Sequence, residues 1–387
     1  ELSRLDDDRQ AVSVDLTRSV LSIPWLGWTK GSGVPAKAEF ELSSDGPQVR
    51  IRDFELTGQG FGATGNLEFG KGGLVSADFS RVRLTGADNY GVKVKRGKSG
   101  YDIATSGKQA DIRQVIARMR SQQSGSGDKD DAAITLRADL DSILGFNDET
   151  ISNVSLTYAA RGSRIDKAEF SGVTKSGQAI VVQTENGGDG SQIQVTSSDA
   201  GAVARFTDVY KRMQGGLLNL KLRAGKNSSW AGNVDIRTFR LANEQKLQSM
   251  VSTPVGNDGR SLNNAVRRDI DVSSERFQRG FARVIIQNDV VRIENGVVRG
   301  EQVGATFQGT LRDKQGNMDM TGTFMPAYGL NRLFAELPLV GVILGNGRDR
   351  GLLGITFRLQ GSFAEPRLSV NPLSLIAPGV FRQIFEF

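Results

Sequence analysis

The residue types that most often carry out chemistry are largely missing from this chain. Its 387 residues include no Cys and no His, which excludes thiol nucleophiles, imidazole bases, disulfides and nearly all zinc sites. Paired carboxylates remain at Asp139 with Asp141 and at Asp269 with Asp271, and two carboxylates could serve a glycosidase. Because i, i+2 pairs of this kind are typical of a solvated face, we do not expect an enzyme.

A Gly-rich stretch, GQGFGATG at Gly58–Gly65, is the second motif that could bind a ligand. It matches neither the Walker nor the dinucleotide-binding pattern, and it indicates turns instead. The chain has 47 Gly against nine Pro without a collagen period, which predicts many tight turns between short strands. We therefore expect no cofactor and no metal.

Composition is that of a folded chain with a mild basic excess. The net charge is +6 and the mean hydropathy is −0.30, and no run of about 18 apolar residues could span a bilayer as a helix. The basic excess would suit anionic lipid headgroups or nucleic acid, but a missing basic-aromatic cluster argues against nucleic acid. The chain starts at Glu1 without a signal-like segment, so we expect any membrane anchor to lie upstream.

Period-2 alternation dominates, and it predicts strands with one apolar and one polar face. In Leu218–Arg223, for example, Leu alternates with Asn, Lys and Arg. The apolar members of five such strands are the candidates for the lining of a groove, with a dry core as the alternative: Ile134, Leu136, Leu140, Val154, Leu156, Leu218, Leu220, Leu222, Val234, Ile236, Ile355, Phe357 and Leu359.

Helical spacing is rarer. It occurs in Ile112–Met119, in Phe206–Met213 and more weakly in Asn243–Val251. Polar stretches at 121–131 and 253–264 predict loops.

The chain repeats internally. Val49–Thr64 aligns without a gap on Val291–Thr306, an offset of 291 − 49 = 242, and a fainter copy starts at Ile151, an offset of 151 − 51 = 100. A unit of several strands and a helix cannot bury its apolar face alone, so copies must stack. We predict three such modules, at residues 1–130, 131–242 and 243–387.

The predicted strands outnumber the elements that could cover them. Roughly twenty strands of ordinary length face roughly four short helices. Such a sheet can fold onto itself as a sandwich, close as a barrel or solenoid, or curl and leave its apolar face to a ligand. Alternation does not say what covers that face.

Two proline-broken apolar segments near the end of the chain could contact a membrane or a partner, or could cap the sheet. In the second, Asn371 is placed to cap a helix that has Pro372 at its first position. The apolar residues of the two segments are Leu330, Leu333, Phe334, Leu337, Val340, Ile343, Leu344, Ile376, Val380, Phe381, Ile384 and Phe385.

Several motifs together resemble one family. FMPAYGLNRLFAELPLVGVILG and GLLGITFRLQGSFAEPRLSVNPLSLIAPGVFRQIF, with Ile23–Leu42 and Asp199–Leu222 upstream, resemble AsmA-like envelope proteins. The match is to the C-terminal region of the long YhdP-type members, and TamB belongs to the same wider group. The resemblance covers nearly the whole chain, with its motifs in the expected order.

The resemblance implies a fold and a function. The fold would be mainly β: an elongated, curled antiparallel sheet, a U-shaped trough or solenoid-like, built from repeats with a few short amphipathic helices. The expected function is non-enzymatic, bridge-like phospholipid transport across the periplasm toward the outer membrane, which supports outer-membrane integrity.

The expected partners are phospholipid, the outer-membrane leaflet or an outer-membrane protein at the C-terminal end, and the inner membrane through an upstream helix, but not nucleic acid. The expected location is periplasmic and anchored in the inner membrane. The alternative is a structural β-solenoid scaffold of the cell envelope that binds protein partners.

Overall fold

The protein is mainly β, as the sequence predicts. A computed structural model describes residues 2–6, 9–121, 133–162, 164–187, 190–226, 229–252, 254–255, 260–261, 272–326 and 353–375. It is 70% strand and 9% helix, and the strands pair mostly antiparallel. The expected mainly β, largely antiparallel sheet with few helices is confirmed.

The elements follow one another in a simple order. The strands are β1 Leu2–Asp6, β2 Arg9–Asp15, β3 Leu21–Ile23, β4 Trp28–Lys30, β5 Ala36–Asp45, β6 Gln48–Gly58, β7 Phe61–Gly70, β8 Gly73–Arg83, β9 Asn89–Arg96, β10 Gly100–Asp111, β11 Ala133–Leu144, β12 Thr150–Arg161, β13 Arg164–Thr174, β14 Ala179–Gly187, β15 Gly190–Ser197, β16 Met213–Ala224, β17 Trp230–Ala242, β18 Pro254–Val255, β19 Arg260–Ser261, β20 Ser274–Gln287, β21 Val290–Gly300, β22 Val303–Arg312, β23 Asn317–Pro326, β24 Leu353–Ser362 and β25 Arg367–Leu375. The α-helices are α1 Arg113–Ser121, α2 Ala200–Phe206 and α3 Gln245–Ser252, and a 3-10 turn covers Pro24–Leu26.

The chain divides into two compact units. Unit 1 comprises residues 1–193 and 205–209, and unit 2 comprises 194–204 and 210–387. In unit 1 the strands pair in the order β1, β2, β5 and then β6 through β14. In unit 2 the order is β16, β17 and then β20 through β25. The boundaries of the three predicted modules remain a prediction.

The strands of unit 1 have two different ends. Tight turns join β5 to β6, β7 to β8, β9 to β10 and β12 to β13, and they lie at what we call the turn end. The β6–β7 turn and longer connections, including the β3–β4 hairpin and α1, lie at the opposite, cap end. β10 and β11 pair in parallel, so both strands run toward the cap end, and α1 begins the connection that returns the chain.

A buried lysine holds the β3–β4 hairpin at the cap end. Lys30 is 3% exposed, and its Nζ donates hydrogen bonds to the carbonyls of Leu16, Thr17, Ser19 and Gly31 at 2.6–3.2 Å. This carbonyl cage satisfies the ammonium group after its removal from water.

The core of this cap is aromatic. Trp28 and Phe61 pack edge to face with ring centroids 5.3 Å apart, and Trp28 Nε1 donates to the Leu84 carbonyl at 2.9 Å. The hairpin therefore covers the cap ends of neighbouring strands.

The stronger repeat is confirmed strand by strand. β6 and β7 coincide with β21 and β22 at the offset of 242 residues, and both pairs carry a bulge. Asp53 and Asn295 stand at equivalent positions in these bulges with φ of 50° and 51°. The fainter copy shares this bulge, because Asn153 of β12 adopts φ of 51° at the offset of 100 residues, but its strand direction differs. β12, which contains Ile151, runs opposite to β6 because one parallel pair lies between them.

Two of the three predicted helices are confirmed, as α1 and α3. The third is wrong, because α2 covers Ala200–Phe206 instead of Phe206–Met213. Asp199 Oδ1 accepts a hydrogen bond from the Ala202 amide at 2.8 Å and so caps α2. Asp208 then adopts a left-handed φ of 54°, and Met213 already begins β16. The apolar spacing at 206–213 thus comes from a helix end, a turn and a strand start.

Candidate functional site

A continuous apolar face crosses the strands of unit 1. One row of paired positions includes Leu42 and Ile51 on β5 and β6 and continues through Leu67 and Ala77 on β7 and β8. The same row extends across the remaining strands through Val94, Ile103, Leu136, Tyr158 and Ala168. Successive side chains of a strand alternate between faces, so this register keeps the apolar residues together.

Exposure on this face rises from the cap end to the turn end. Along β11, Leu140 is 8% exposed, Leu136 is half-buried and Ile134 is 43% exposed. On the neighbouring β12, Val154 is 5% exposed and Leu156 is half-buried. The five predicted groove residues of unit 1 therefore share one face, buried at one end and open to solvent at the other.

Unit 2 carries a comparable apolar face. Leu218 and Leu220 on β16 lie opposite Ile236 and Val234 on β17, and all four are half-buried, as is Leu222. On the far strands, paired positions again join apolar residues, as Met320 does with Leu359. The sheet register thus brings the predicted residues of unit 2 onto one face. Ile355 pairs with Phe324 in the backbone, and its side chain lies outside the described part.

Helix α3 covers part of the apolar face of unit 2. Its Leu247, Met250 and Val251 are buried, and they belong to one core cluster with Phe324 at 1% exposure and Phe357 at 8%. Phe357, a predicted groove residue, therefore lies in a dry core. The other members of this cluster are Phe239, Val272, Phe277 and Val303.

The opposite face of the sheet is charged. Arg50 pairs with Glu68 at 3.6 Å and Lys93 with Asp78 at 3.1 Å, all between neighbouring strands of unit 1. Exposed pairs of this kind contribute little to stability and mainly keep the face hydrated.

One of the two carboxylate pairs that could have served an enzyme belongs to this polar surface. Asp139 and Asp141 are both exposed, which confirms the expectation of a solvated face. Asp269 and Asp271 lie outside the described residues.

Ionisation on both faces follows the polarity of the surroundings. Burial raises the pKa of Tyr158 on the apolar face, and burial together with Asp88 raises the pKa of Tyr90 there. On the polar face the hydrogen bond from Arg358 holds the pKa of Asp319 below its usual value. The apolar face thus favours neutral groups, whereas the polar face favours charged ones.

Phe–Gly–Phe triplets cross three strands on the apolar faces, and sequence reasoning missed them. Gly65 pairs with Phe54 on one side and Phe79 on the other, and the two rings lie 6.1 Å apart. In unit 2, Gly322 pairs in the same way with Phe307 and Phe357. The sequence suggested turns for its glycines, but these two glycines lie inside strands. A Cβ at Gly322 would collide with the Thr306 carbonyl and the Phe357 ring, so only Gly fits there.

The predicted contact residues of the two terminal segments, from Leu330 to Leu344 and from Ile376 to Phe385, lie outside the described residues. The helix expected to begin at Asn371 is wrong at its start, because Asn371 and Pro372 belong to β25. Among the described strands β25 pairs only with β24, so the missing N–H of Pro372 can be tolerated there.

Comparisons with known proteins suggest no function, so the apolar faces of the sheet are the main evidence for one. No protein family, curated protein or solved structure matches the chain. In the described part of the chain, no helix is both long and apolar enough to cross a membrane. No group of three or more acidic, Cys or His side chains is placed there to hold a metal ion.

Proposed function

We propose that the protein carries phospholipid along its apolar sheet faces without catalysing a reaction. The observation that supports this most directly is the exposure gradient, from Leu140 at 8% to Ile134 at 43% on one strand. In a dry core the apolar side chains at both ends of a strand are buried, whereas in a groove the side chains at one end remain accessible to a ligand. The proposed occupants of the open part are the acyl chains of phospholipid.

The energetics explain why a continuous face would suffice. Transfer of a sixteen-carbon acyl chain into water costs on the order of 12 kcal/mol, at about 0.8 kcal/mol per CH₂. In unit 1 the apolar face crosses the nine strands β5 through β13, about 40 Å at the usual strand spacing. Contact with Val, Leu, Ile and Phe along this distance offsets most of that cost, and no single residue needs to recognise the chain.

The sequence resemblance to AsmA-like envelope proteins supports a cellular location for the proposed activity. It favours a periplasmic protein, anchored upstream in the inner membrane, that passes phospholipid toward the outer membrane. The proposed partners at the C-terminal end are the outer-membrane leaflet or an outer-membrane protein.

A structural scaffold of the cell envelope is the second candidate, because one observation favours it. Under α3, Phe324 and Val303 are only 1% and 2% exposed, and Phe357 belongs to the same cluster. A face buried in this way along its whole length would bind protein partners instead of lipid.

Tryptophan fluorescence separates the two candidates, since one of the three Trp residues lies on the apolar face of unit 2. Trp230 is half-buried, in phase with Val234, and pairs with Ala224 and Ile286. The protein would be titrated with phosphatidylglycerol whose acyl chains carry bromine. We expect emission to be quenched in the wild type, and the quenched component to be missing in Trp230→Phe.

Mass spectrometry of the purified protein gives an independent readout. We expect phospholipid to co-purify in at least equimolar amount. A lipid-free protein whose Trp230 emission does not respond to brominated lipid would exclude transport and favour the scaffold.

A further inference from the structure

The open, turn end of unit 1 carries exposed basic residues next to the apolar face. Lys71 lies in the turn between β7 and β8, and Arg96 and Lys98 lie at the turn between β9 and β10. These turns are two strands apart, so about 10 Å separates them at the usual spacing. The positive charge therefore lies at the end of unit 1 where the apolar face, which includes Ile103 and Leu136, is exposed to solvent.

Arg96 is the one of these residues that stands on the apolar face itself. It follows Val92 and Val94 at alternate positions of β9, and it pairs with Tyr101 as Val94 pairs with Ile103. Its guanidinium carbon lies 5.7 Å from the centre of the Tyr101 ring. The nearby carboxylate of Asp102 belongs to the polar face, because Asp102 alternates with Tyr101 and Ile103.

Existing contacts hold the Arg96 side chain in place. Its Nη2 donates a hydrogen bond to the Gly72 carbonyl in the neighbouring turn and approaches the Tyr101 hydroxyl at 3.4 Å. Among the described residues these hydrogen bonds use only Nη2, so the Nε and Nη1 donors of Arg96 can bind a ligand. A planar guanidinium with adjacent donors matches the geometry of a phosphate group.

We propose that Arg96 and Tyr101 bind the phosphate of a phospholipid whose acyl chains lie on the apolar face of unit 1. This inference rests on the proposed function, and it adds the position and the chemical class of the headgroup contact. The guanidinium donates to two phosphate oxygens and the Tyr101 hydroxyl donates to a third, while Ile103 and Ile134 contact the first carbons of the acyl chains. The lipid headgroups would then lie along the turn end of unit 1, and the acyl chains would extend from there toward the cap end.

The test compares two lipids with the same acyl chains, phosphatidylglycerol and diacylglycerol, which lacks the phosphate. Binding of each is measured by equilibrium partition from vesicles into the wild type and into Arg96→Gln. We expect Arg96→Gln to bind phosphatidylglycerol about tenfold more weakly, the loss of one charge-assisted pair, and to bind diacylglycerol as the wild type does.

A matched control exists on the same strand. Lys93→Gln removes the same charge from the polar face, where Lys93 pairs with Asp78, and it should change neither affinity. Arg96→Lys, which keeps the charge but not the planar donors, should recover part of the loss. Thermal melts identify any variant that fails to fold, and Tyr101→Phe then supplies a second, milder test at the same position.

Three results would overturn the proposal in different ways. If Arg96→Gln, correctly folded, binds both lipids as the wild type does, the headgroup contact is wrong and the apolar groove stands. If free glycerol phosphate competes as well as phosphatidylglycerol, the site binds soluble phosphate esters instead of lipid. If the wild type binds neither lipid, the proposed function itself fails.

Discussion

A negative charge placed at either of two positions of β11 should distinguish a residue that stabilises the fold from one that contacts lipid. Leu140 is 8% exposed and Ile134 is 43% exposed, yet both point to the same face. Leu140→Asp puts a carboxylate into a dry site without a partner and should destabilise unit 1 by about 3–5 kcal/mol. Ile134→Asp loses only part of the burial of one Ile side chain, about 1–1.5 kcal/mol.

These costs translate into distinct melting behaviour. For a unit of this size the Tm falls by about 2–4 °C for each kcal/mol, so Ile134→Asp should lower it by about 2–6 °C and Leu140→Asp by about 6–20 °C. Phospholipid that co-purifies with each variant is then counted by mass spectrometry. We expect Ile134→Asp to fold and to lose most of its lipid, because a charge at the open end disfavours acyl chains.

The control places the same charge on the other side of the sheet. Ala104 is exposed on the polar face of β10, opposite Arg137, so Ala104→Asp should leave both the Tm and the lipid content unchanged. The reasoning is refuted if Ile134→Asp unfolds unit 1 as severely as Leu140→Asp does. A folded Ile134→Asp that keeps its full lipid content would refute it equally.

Three further predictions concern stability. Burial raises the pKa of Glu275 above 4.5, so the folded protein binds this proton more tightly than the unfolded chain does. Stability therefore falls as the pH rises through the pKa of Glu275 in the folded protein. We expect thermal melts to show Glu275→Gln as more stable than the wild type at pH 7 but not at pH 4. Lys30→Met should cost about 2–4 kcal/mol in urea unfolding, because four carbonyls lose their donor, and the exposed Lys37→Met should cost almost nothing. Gly322→Ala should lower the Tm of unit 2 through its backbone collision, whereas Gly31→Ala, with open space around it, should not lower the Tm of unit 1; equal melting shifts would contradict this.

Local patterns predicted what depends on neighbouring residues alone. Alternation places Leu136 and Leu220 on strands with the correct face, since the period of 2 is a property of the extended backbone. It cannot say that Leu140 is buried and Ile134 open, because this difference comes from the elements at the cap end. The same limit applies to Phe357, which α3 covers from a distant part of the chain.

Two helix predictions are wrong for the same physical reason: a local sequence pattern that fits a helix can also fit other structures. Asn371 followed by Pro372 fits a helix start, but a Pro is also tolerated in an edge strand, and only pairing with β24 decides between them. The spacing at 206–213 mimics a helix face across three different elements. Glycine inside strands had no local signal, because its partner Phe comes from another strand.

The Phe–Gly–Phe triplets have a consequence for how a chain molecule would slide. Phe rings occupy alternate strands, β6 and β8 in one unit and β22 and β24 in the other, with a Gly between them. An acyl chain that leaves one ring meets another of the same kind directly, because the two rings of the unit 1 triplet lie only 6.1 Å apart across the glycine. Contacts of one kind in succession would offer no deep trap, so a bound lipid would be retained against water and yet remain free to diffuse along the face.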